Sequence, residues 1–378
     1  ISLADGAPDR GSDGESGTPR SDDTLRAKLR PHRRPMDAFK QLDFFELDDQ
    51  YSEEERMVRD TVRSWVGERF LPGVMGHFEA GTFPMDQVPE LAELGVFGPT
   101  TPEEYGGAGM NSVAYGLICQ ELERGDSGLR SFCSVQGSLV MWPIHEYGSE
   151  EQKREYLPKL ASGEMIGCFG LTEPDFGSNP GGMLTTARKD GDDYVLNGRK
   201  MWITNGSISQ IAIVWAKLDG KVRGFIVPTD AKGFSAPDHN HKWSLRASIT
   251  SELVLEDVRV PASAMMPGVE GLRGPLSCLT QARYGIAWGA LGAAYACFDE
   301  TLEYQKARIV FDKPVAAYQI PQQKFANMAT DITGGQLMAL RLGRLKDEGR
   351  FTSSQVSMAK RNNVMLALET ARTCRDML

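Results

Sequence analysis

The sequence predicts an α+β protein with three domains: a helical N-terminal domain over residues 39–165, a central antiparallel β-domain over 166–265 and a C-terminal helical bundle over 266–378. Hydrophobic residues recur at helical spacing before about residue 166, alternate after it, and return to helical spacing near Pro275. A chain of 378 residues, 41% hydrophobic and 25% charged, can form two or three domains with large cores. No Gly-x-Gly-x-x-Gly follows a predicted strand, so we expect no Rossmann-type site.

Residues 1–38 form a separate leader. They are rich in Gly, Ser, Asp, Pro and Arg and poor in large apolar residues, a composition that predicts disorder. Their acidic residues argue against an organellar transit peptide, which is basic and poor in acids. We therefore expect a bacterial-type cytoplasmic protein whose natural start is Met36, with the mitochondrial matrix as the alternative location.

The helices are predicted from caps and from periodicity. Ser52 is a good N-cap, and the three glutamates after it suit the positive end of a helix, which we expect to end before Pro72. Other helices are predicted over residues 87–94, 114–124, from 129 onward, 283–307, 319–347 and 354–378.

The strands are predicted from alternation and turn residues. Residues 194–196 and 200–204 read as a hairpin around Asn197 and Gly198, because Asn-Gly favours a two-residue turn. Residues 211–217 and 222–227 read as a second hairpin around Asp219-Gly220, and residues 253–260 as a further strand.

Charge and cysteine content exclude several classes of protein. The net charge of −9 argues against binding to nucleic acid and to anionic membranes, and no apolar run is long enough to span a bilayer. The six cysteines show no Cys-x-x-Cys, which favours free thiols in a reducing compartment. We predict no metal site and interpret His239 and His241 as solvated.

Two segments carry the clearest functional signal: residues 168–179, with the sequence CFGLTEPDFGSN, and residues 200–205, with the sequence KMWITN. In a strand, residues two apart point to the same face, so Trp202 and Thr204 would present an aromatic plate beside a hydroxyl. Such a surface suits a flavin ring. The alternative is a core tryptophan beside a surface threonine in an ordinary hairpin.

These segments resemble the acyl-CoA dehydrogenase family, as do residues 258–261, 282–289 and 308–311 with Gln319. The resemblance runs from about residue 40 to the last residue and implies that the cofactor is FAD. The residues that it implies for FAD binding are Phe169, Leu171, Thr172, Gly177, Ser178, Trp202, Ile203 and Thr204, with Arg308, Phe311 and Gln319 reaching the FAD of a neighbouring subunit. Asp312 stands where the family commonly has Gly, which predicts repulsion of a phosphate and strain at a positive φ.

Residues 121–131, with the sequence ELERGDSGLRS, resemble the glutaryl-CoA dehydrogenases within that family. A dicarboxyl substrate brings a second carboxylate into an acyl pocket, where an unpaired buried charge is costly, and Arg130 could pair with it. The substrate residues implied are Glu123, Arg130, Ser131, Ser134, Ser178, Leu276 and Arg283. The alternative is that Arg130 starts a helix and pairs with Asp126 on the surface.

The resemblance implies oxidation and decarboxylation of glutaryl-CoA to crotonyl-CoA and CO2 in a homotetramer, with electrons passing to an electron-transfer flavoprotein. In the family, the sequence after a run like residues 375–378 supplies the catalytic glutamate, so we expect the general base beyond Leu378 and little activity from the chain as it stands. The alternatives are a non-decarboxylating dehydrogenase of another short or dicarboxyl acyl-CoA, and an inactive module that binds flavin or CoA.

Overall fold

The computed structural model describes residues 42–378, so the predicted leader over residues 1–38 and the expected start at Met36 lie outside the described residues. Within residues 42–378, helices precede and follow a central sheet, as the predicted fold class requires. The domain boundaries given above remain a prediction.

Helices fill the N-terminal part of the described chain. They are α1 (Glu53–Trp65), α2 (Leu71–Ala80), α3 (Val88–Glu93), α4 (Ser112–Gly125), α5 (Ser127–Ser134), α6 (Trp142–Tyr147) and α7 (Glu150–Ala161), with π-helical segments at Val66–Phe70 and Val135–Met141. Ser52 caps α1 as predicted, in a capping box with Glu55. The expected stop before Pro72 is wrong, because the chain continues through the first π-helical segment into α2. Pro72 lies in the first turn of α2, where a missing N–H breaks no helical bond.

The central sheet has seven strands: β1 (Gly167–Gly170), β2 (Thr186–Asp190), β3 (Asp193–Thr204), β4 (Ile211–Leu218), β5 (Lys221–Pro228), β6 (Phe234–Ser235) and β7 (Thr250–Pro261). Their order is β1-β4-β2-β3-β7-β6, and β5 pairs with β4. The sheet is mixed, since β4 runs parallel to both β1 and β2 while the other pairs are antiparallel. The wholly antiparallel expectation therefore fails at β4, because local alternation does not reveal the direction of strands that are distant in sequence.

Strands β1 and β2 lie along the same strand, β4. Residues 167–170 of β1 pair with the first half of β4, and Thr186 and Ala187 of β2 pair with its end. The chain between them, residues 171–185, leaves the sheet and returns to it. This excursion contains most of the first segment that resembles a flavin site.

The Asn197-Gly198 turn is a wrong prediction. Both residues lie inside β3, at a register shift against β7, and the β2–β3 turn is at Gly191 and Asp192. Asn197 serves the bulge instead, because its side chain bonds both the backbone N–H and the carboxylate of Asp257. The hairpin around Asp219-Gly220 is confirmed by the full β4–β5 register.

The C-terminal helices are α8 (Arg273–Ala307), α9 (Gln319–Asp347) and α10 (Ser353–Met377), with the short strands β8 (Ile309–Val310) and β9 (Lys313–Pro314) after α8. Short 3-10 helices lie at Leu47–Gln50, Met85–Gln87, Glu103–Tyr105, Pro180–Gly182, Gly206–Ile208, Ala262–Ala264 and Val315–Ala317. One core cluster joins the N-terminal helices to one face of the sheet, and a second lies among the strands. None of the helices in residues 42–378 combines the length and apolarity that a bilayer crossing requires.

Candidate active site

The structure brings together residues 168–179 and 200–205, the two segments with the clearest functional signal. The backbone N–H of Met201 donates to the carbonyl oxygen of Thr172 at 2.8 Å. This bond places the start of the 171–185 excursion beside the last residues of β3. The residues predicted from two separate stretches of sequence therefore share one place in the fold.

A buried ion pair reinforces this junction. Lys200 Nζ lies 2.9 Å from Glu173 Oε1 and donates to the carbonyl oxygen of Leu171 at 3.2 Å. The Glu173 carboxylate also accepts from the N–H groups of Leu184 and Thr185 at 2.6 and 2.9 Å. One ion pair therefore ties both ends of the excursion to β3.

In this pair, burial disfavours the charged form of each group, while the partner and the hydrogen bonds favour it. Burial lowers the pKa of Lys200 to about 8, although Glu173 opposes the shift. Burial alone would raise the pKa of Glu173, but its hydrogen bonds from Leu184 and Lys200 lower it below the usual value. Both groups are thus charged at neutral pH. Sequence reasoning assigned neither residue, and the available signal was a lysine directly before the apolar residues Met201, Trp202 and Ile203.

Trp202 departs from regular strand geometry. Its φ is +62°, in a region that bulky residues rarely adopt, and β3 shifts register against β7 between Lys200 and Ile203. The simple strand argument that placed Trp202 beside Thr204 therefore does not hold at Trp202. The indole is 64% exposed while Ile203 is buried, so the bulge turns a large apolar ring outward. Backbone strain of this kind is often found at functional sites.

The other predicted flavin residues fall into two groups. Phe169, Leu171 and Ile203 are buried, while Gly177 and Ser178 are exposed on the excursion. Thr172 and Thr204 are half-buried, and neither hydroxyl bonds to another described residue. Two unbonded hydroxyls and an exposed indole on these two joined segments are the groups that the polar edge and apolar face of a flavin ring require.

Sequence reasoning missed the environment of His239. This histidine was interpreted as solvated, but it is half-buried, its ring centroid lies 4.7 Å from that of Trp202, and its Nε2 is buried without a partner among residues 42–378. It lines a cavity of about 240 Å³ together with Lys242 and Arg246. Both cations donate to backbone carbonyls there. No sequence motif signalled the contact with Trp202.

The second predicted cofactor cluster is exposed. Arg308 ends α8, Gln319 begins α9, and Phe311 with Asp312 forms the two-residue turn between β8 and β9. Phe311 is 88% exposed, and Phe311 and Asp312 have φ values of +48° and +67°. The expected positive φ at Asp312 is thus present, because a two-residue hairpin of this twist requires it at both positions.

The predicted substrate residues on α4 and α5 do meet. Arg130 Nε donates to Glu123 Oε2 at 2.6 Å, and Nη2 donates to Glu123 Oε1 at 3.3 Å. Only 12% of the Arg130 side chain and 8% of the Glu123 side chain are exposed. The alternative of a surface pair with Asp126 is therefore wrong. Asp126 instead caps α5 by accepting from Gly128 N.

Arg130 remains a charged donor. Burial alone would lower the pKa of Arg130, but the Glu123 carboxylate raises it. Ser127 Oγ donates to Glu123 Oε1 at 2.9 Å, a contact that sequence reasoning missed although Ser127 lies within the quoted motif. Helix α8 approaches closely, since a Cβ at Gly289 would lie 2.0 Å from Glu123 Oε2. Arg130 Nη1 bonds to none of the described residues, so one edge of the guanidinium is free.

Further hydroxyl groups lie on α4, on α5 and on the π-helical segment Val135–Met141 that follows α5. Tyr115 Oη lies 2.6 Å from Ser138 Oγ, and burial raises the pKa of Tyr115 well above its usual value. Ser134, a predicted substrate residue, is buried, and Ser131 is half-buried. These residues supply hydroxyl groups on and directly after the helices that hold Glu123 and Arg130.

Leu276 and Arg283 both lie on α8, seven residues apart and thus on one face of the helix. Leu276 is 40% exposed and Arg283 is half-buried. Arg283 bonds to no other described residue. The structure places Leu276 and Arg283 on one element, but it does not bring them into contact with Arg130.

Comparison with known proteins identifies the family. The chain matches the models of the N-terminal domain of acyl-CoA dehydrogenase over residues 52–164, its middle domain over 168–258 and its C-terminal domain over 270–378. It is 39% identical over 318 residues to a probable acyl-CoA dehydrogenase, YngJ, of Bacillus subtilis (strain 168), covering 82% of this chain and 83% of that one. It is 35% identical over 315 residues to the mitochondrial short-chain specific acyl-CoA dehydrogenase of Bos taurus, covering 82% and 76%.

Solved structures agree. A glutaryl-CoA dehydrogenase from Mycobacterium smegmatis in complex with FADH2 is 54% identical, with a TM-score of 0.87 over 89% of this chain and 87% of that chain. With family models over most of the described chain and relatives above 30% identity, this chain belongs to the acyl-CoA dehydrogenase family.

Proposed function

We propose that this protein is an FAD-dependent dehydrogenase that oxidises and decarboxylates glutaryl-CoA to crotonyl-CoA and CO2. One observation carries the choice of substrate: a buried guanidinium, Arg130, is fixed along one edge by Glu123 and keeps Nη1 free. The 54% identity to a glutaryl-CoA dehydrogenase supports the same choice.

The residues present fit FAD. The exposed indole of Trp202 and the unbonded hydroxyls of Thr172 and Thr204 would hold the ring system, with Phe169, Leu171 and Ile203 behind them. When bound, FAD supplies the acceptor for the hydride that leaves the β-carbon of the substrate. Relatives such as the short-chain specific acyl-CoA dehydrogenase would use the same cofactor chemistry on another acyl group, so the cofactor alone does not select the substrate.

Arg130 would select a substrate with a second carboxylate. A carboxylate at the far end of the acyl chain loses most of its hydration on entering a protein pocket and needs a paired, hydrogen-bonded partner. The free Nη1 of Arg130 can donate to one carboxylate oxygen, and Ser131 and Ser134 can supply hydroxyls nearby. An acyl chain that ends in a methyl group would offer no acceptor to Nη1 of Arg130, which disfavours butyryl-CoA.

The remaining predicted residues have supporting roles. Ser178 on the excursion and Leu276 and Arg283 on α8 would contact the CoA portion, whose phosphates suit the half-buried and unpaired Arg283. A general base is needed for the α-proton, and none of the residues named here is assigned to it. We propose an electron-transfer flavoprotein as the electron acceptor, which the family resemblance supports.

The exposed second cluster supports a homo-oligomer. Arg308, Phe311 and Gln319 project from one end of the C-terminal helices, and an 88% exposed phenylalanine is costly in water. In an oligomer these residues would reach the FAD of a neighbouring copy. Sedimentation of the purified protein with and without FAD tests this part independently of the substrate.

The substrate proposal is tested by product analysis. The complete gene product, loaded with FAD, is mixed with glutaryl-CoA, and the acyl-CoA products and CO2 are measured. Crotonyl-CoA with equimolar CO2 supports the proposal. Glutaconyl-CoA without CO2 favours the non-decarboxylating alternative, and a flavin absorbance that never bleaches with any acyl-CoA favours an inactive binding module.

A further inference from the structure

We propose that the buried Glu173–Lys200 ion pair is a positioning device for FAD, because it sets the spacing between the 171–185 excursion and the Trp202–Thr204 end of β3. The inference rests on the proposed placement of FAD at these two segments. It assigns a role to two residues that contact neither substrate nor cofactor in that placement.

The geometry makes this pair the main link between the 171–185 excursion and the end of β3. Glu173 and Lys200 join three stretches of chain: the exit from β1 at Leu171, the return to the sheet at Leu184 and Thr185, and β3 itself. The only other bond between the excursion's start and β3 that the described residues show is Met201 N to Thr172 O. The pair therefore controls where Thr172 lies relative to Thr204.

The pair is also well protected. The Lys200 side chain has no exposed surface and that of Glu173 only 4%. Gly170 makes room for the lysine, since a Cβ there would lie 3.1 Å from Lys200 Cγ. A pair that is buried and held by several hydrogen bonds is rigid, and a rigid support fixes the residues attached to it. Salt in solution cannot weaken it appreciably.

The pair has a further consequence for Trp202. Lys200 is the last paired residue before the register shift of β3 and Trp202 lies within that shift, so the anchored lysine holds the near side of the bulge that turns the indole outward. If Lys200 is released, the strained φ of Trp202 can relax. The hydroxyl of Thr172 and the indole then both lose their fixed places.

The test compares FAD binding with stability in one set of variants. Lys200→Met removes the cation and leaves Glu173 buried without it. Glu173→Gln/Lys200→Met removes both charges and keeps similar side-chain volumes. For each purified protein we measure the dissociation constant of FAD, the absorption spectrum of the bound flavin and the free energy of unfolding without FAD.

We expect Lys200→Met to raise the dissociation constant of FAD about tenfold and to shift the flavin absorption maximum. The double variant should recover much of the lost stability, because it buries no uncompensated charge. It should not recover FAD affinity, because the donor to Leu171 O is still missing. A split between stability and cofactor affinity is what a purely structural role would not give.

Three controls complete the design. Arg199→Met breaks an exposed pair with Glu252 one residue earlier on β3 and should leave FAD binding unchanged. Leu91→Ala empties a fully buried site in α3 and should lower stability without shifting the flavin spectrum. Thr204→Ala tests the FAD placement itself.

The outcomes separate the two proposals. If FAD affinity follows stability across all variants, Leu91→Ala included, the positioning role is overturned while the FAD placement stands. If Thr204→Ala changes neither the affinity nor the spectrum, the placement is wrong and the inference falls with it.

Discussion

Two of the buried ion pairs in the described chain differ in what they leave free. Glu173–Lys200 is closed: both charged groups are bonded to backbone as well as to each other, and neither is exposed by more than 4%. Glu123–Arg130 is open: the carboxylate holds Nε and Nη2 of the arginine, and Nη1 bonds to no described residue.

The difference shows that burial alone does not predict what an ion pair does. A closed pair has almost no surface that a ligand could reach, so its role is to hold chain segments in place. An open pair has a charged donor already fixed in direction, which lowers the cost of binding an anion. Each of the predictions below tests one side of this contrast.

The largest effect on stability is expected at the closed pair. Lys200→Met leaves the Glu173 carboxylate buried without its cation and should lower the free energy of unfolding by about 3 kcal/mol. Arg199→Met removes an exposed pair on the same strand and should cost no more than about 1 kcal/mol. Urea unfolding of both variants measures the difference. Equal losses would mean that the closed pair is no more important to the fold than a surface pair.

The largest effect on specificity is expected at the open pair. Arg130→Met should lower kcat/KM for glutaryl-CoA about 100-fold relative to that for butyryl-CoA, because the far carboxylate loses its charged donor. FAD binding should stay unchanged. Steady-state rates with the two substrates give the ratio.

Arg154→Met is the matched control for Arg130, since Arg154 forms an exposed pair with Glu150. It should change neither rate. An Arg130 variant that slows both substrates equally would show that the open pair supports the helices and does not recognise a carboxylate.

The sequence predicted the two pairs unequally. Helical periodicity predicted α9 at both bounds, Gln319–Asp347, because that signal is local. The motif around Arg130 was also recognised, but the bare residue reading offered Asp126 as the partner, and the structure shows Glu123. Both candidates lie within seven residues of Arg130, so only the packing of α4 against α5 and α8 decides between them.

The closed pair could not be predicted in this way. Glu173 and Lys200 are 27 residues apart and meet because β1 and β2 lie along the same β4 strand, a pairing that local alternation does not contain. The Asn197-Gly198 prediction failed for a related reason. Its local turn preference is strong, yet the long register of β3 with β7 absorbs both residues in a bulge.

Asp299 on α8 represents a third arrangement, a half-buried carboxyl whose Oδ2 atom is buried and accepts no hydrogen bond from residues 42–378. Burial raises its pKa to about 6, against the opposing effect of Arg124. Between the unfolded value of 3.8 and this value the folded state binds more protons. Its contribution to stability is therefore complete below about pH 4 and is lost as the pH rises through about 6.

Asp299→Asn should remove this dependence. The stability of the parent relative to the variant should fall by about 1–2 kcal/mol between roughly pH 4 and pH 8, less than the full shift implies because the carboxyl is partly exposed. Unfolding by urea across the range measures it. A constant difference would show that Asp299 is stabilised by partners in the way that Glu173 is.

The smallest effect is expected at Asp312, an exposed carboxylate at φ +67° in the β8–β9 turn. Asp312→Gly should raise the free energy of unfolding by about 0.5 kcal/mol, because glycine adopts this φ without strain. Asp219, at φ +50° in the β4–β5 turn, is its matched control, and Asp219→Gly should give a similar gain. Only Asp312→Gly should also tighten FAD binding, by about threefold, since it removes a charge beside the proposed phosphate contact of Arg308. If both variants leave FAD affinity unchanged, the β8–β9 turn does not lie near the FAD phosphates, and the proposed contact of Arg308 with them is wrong.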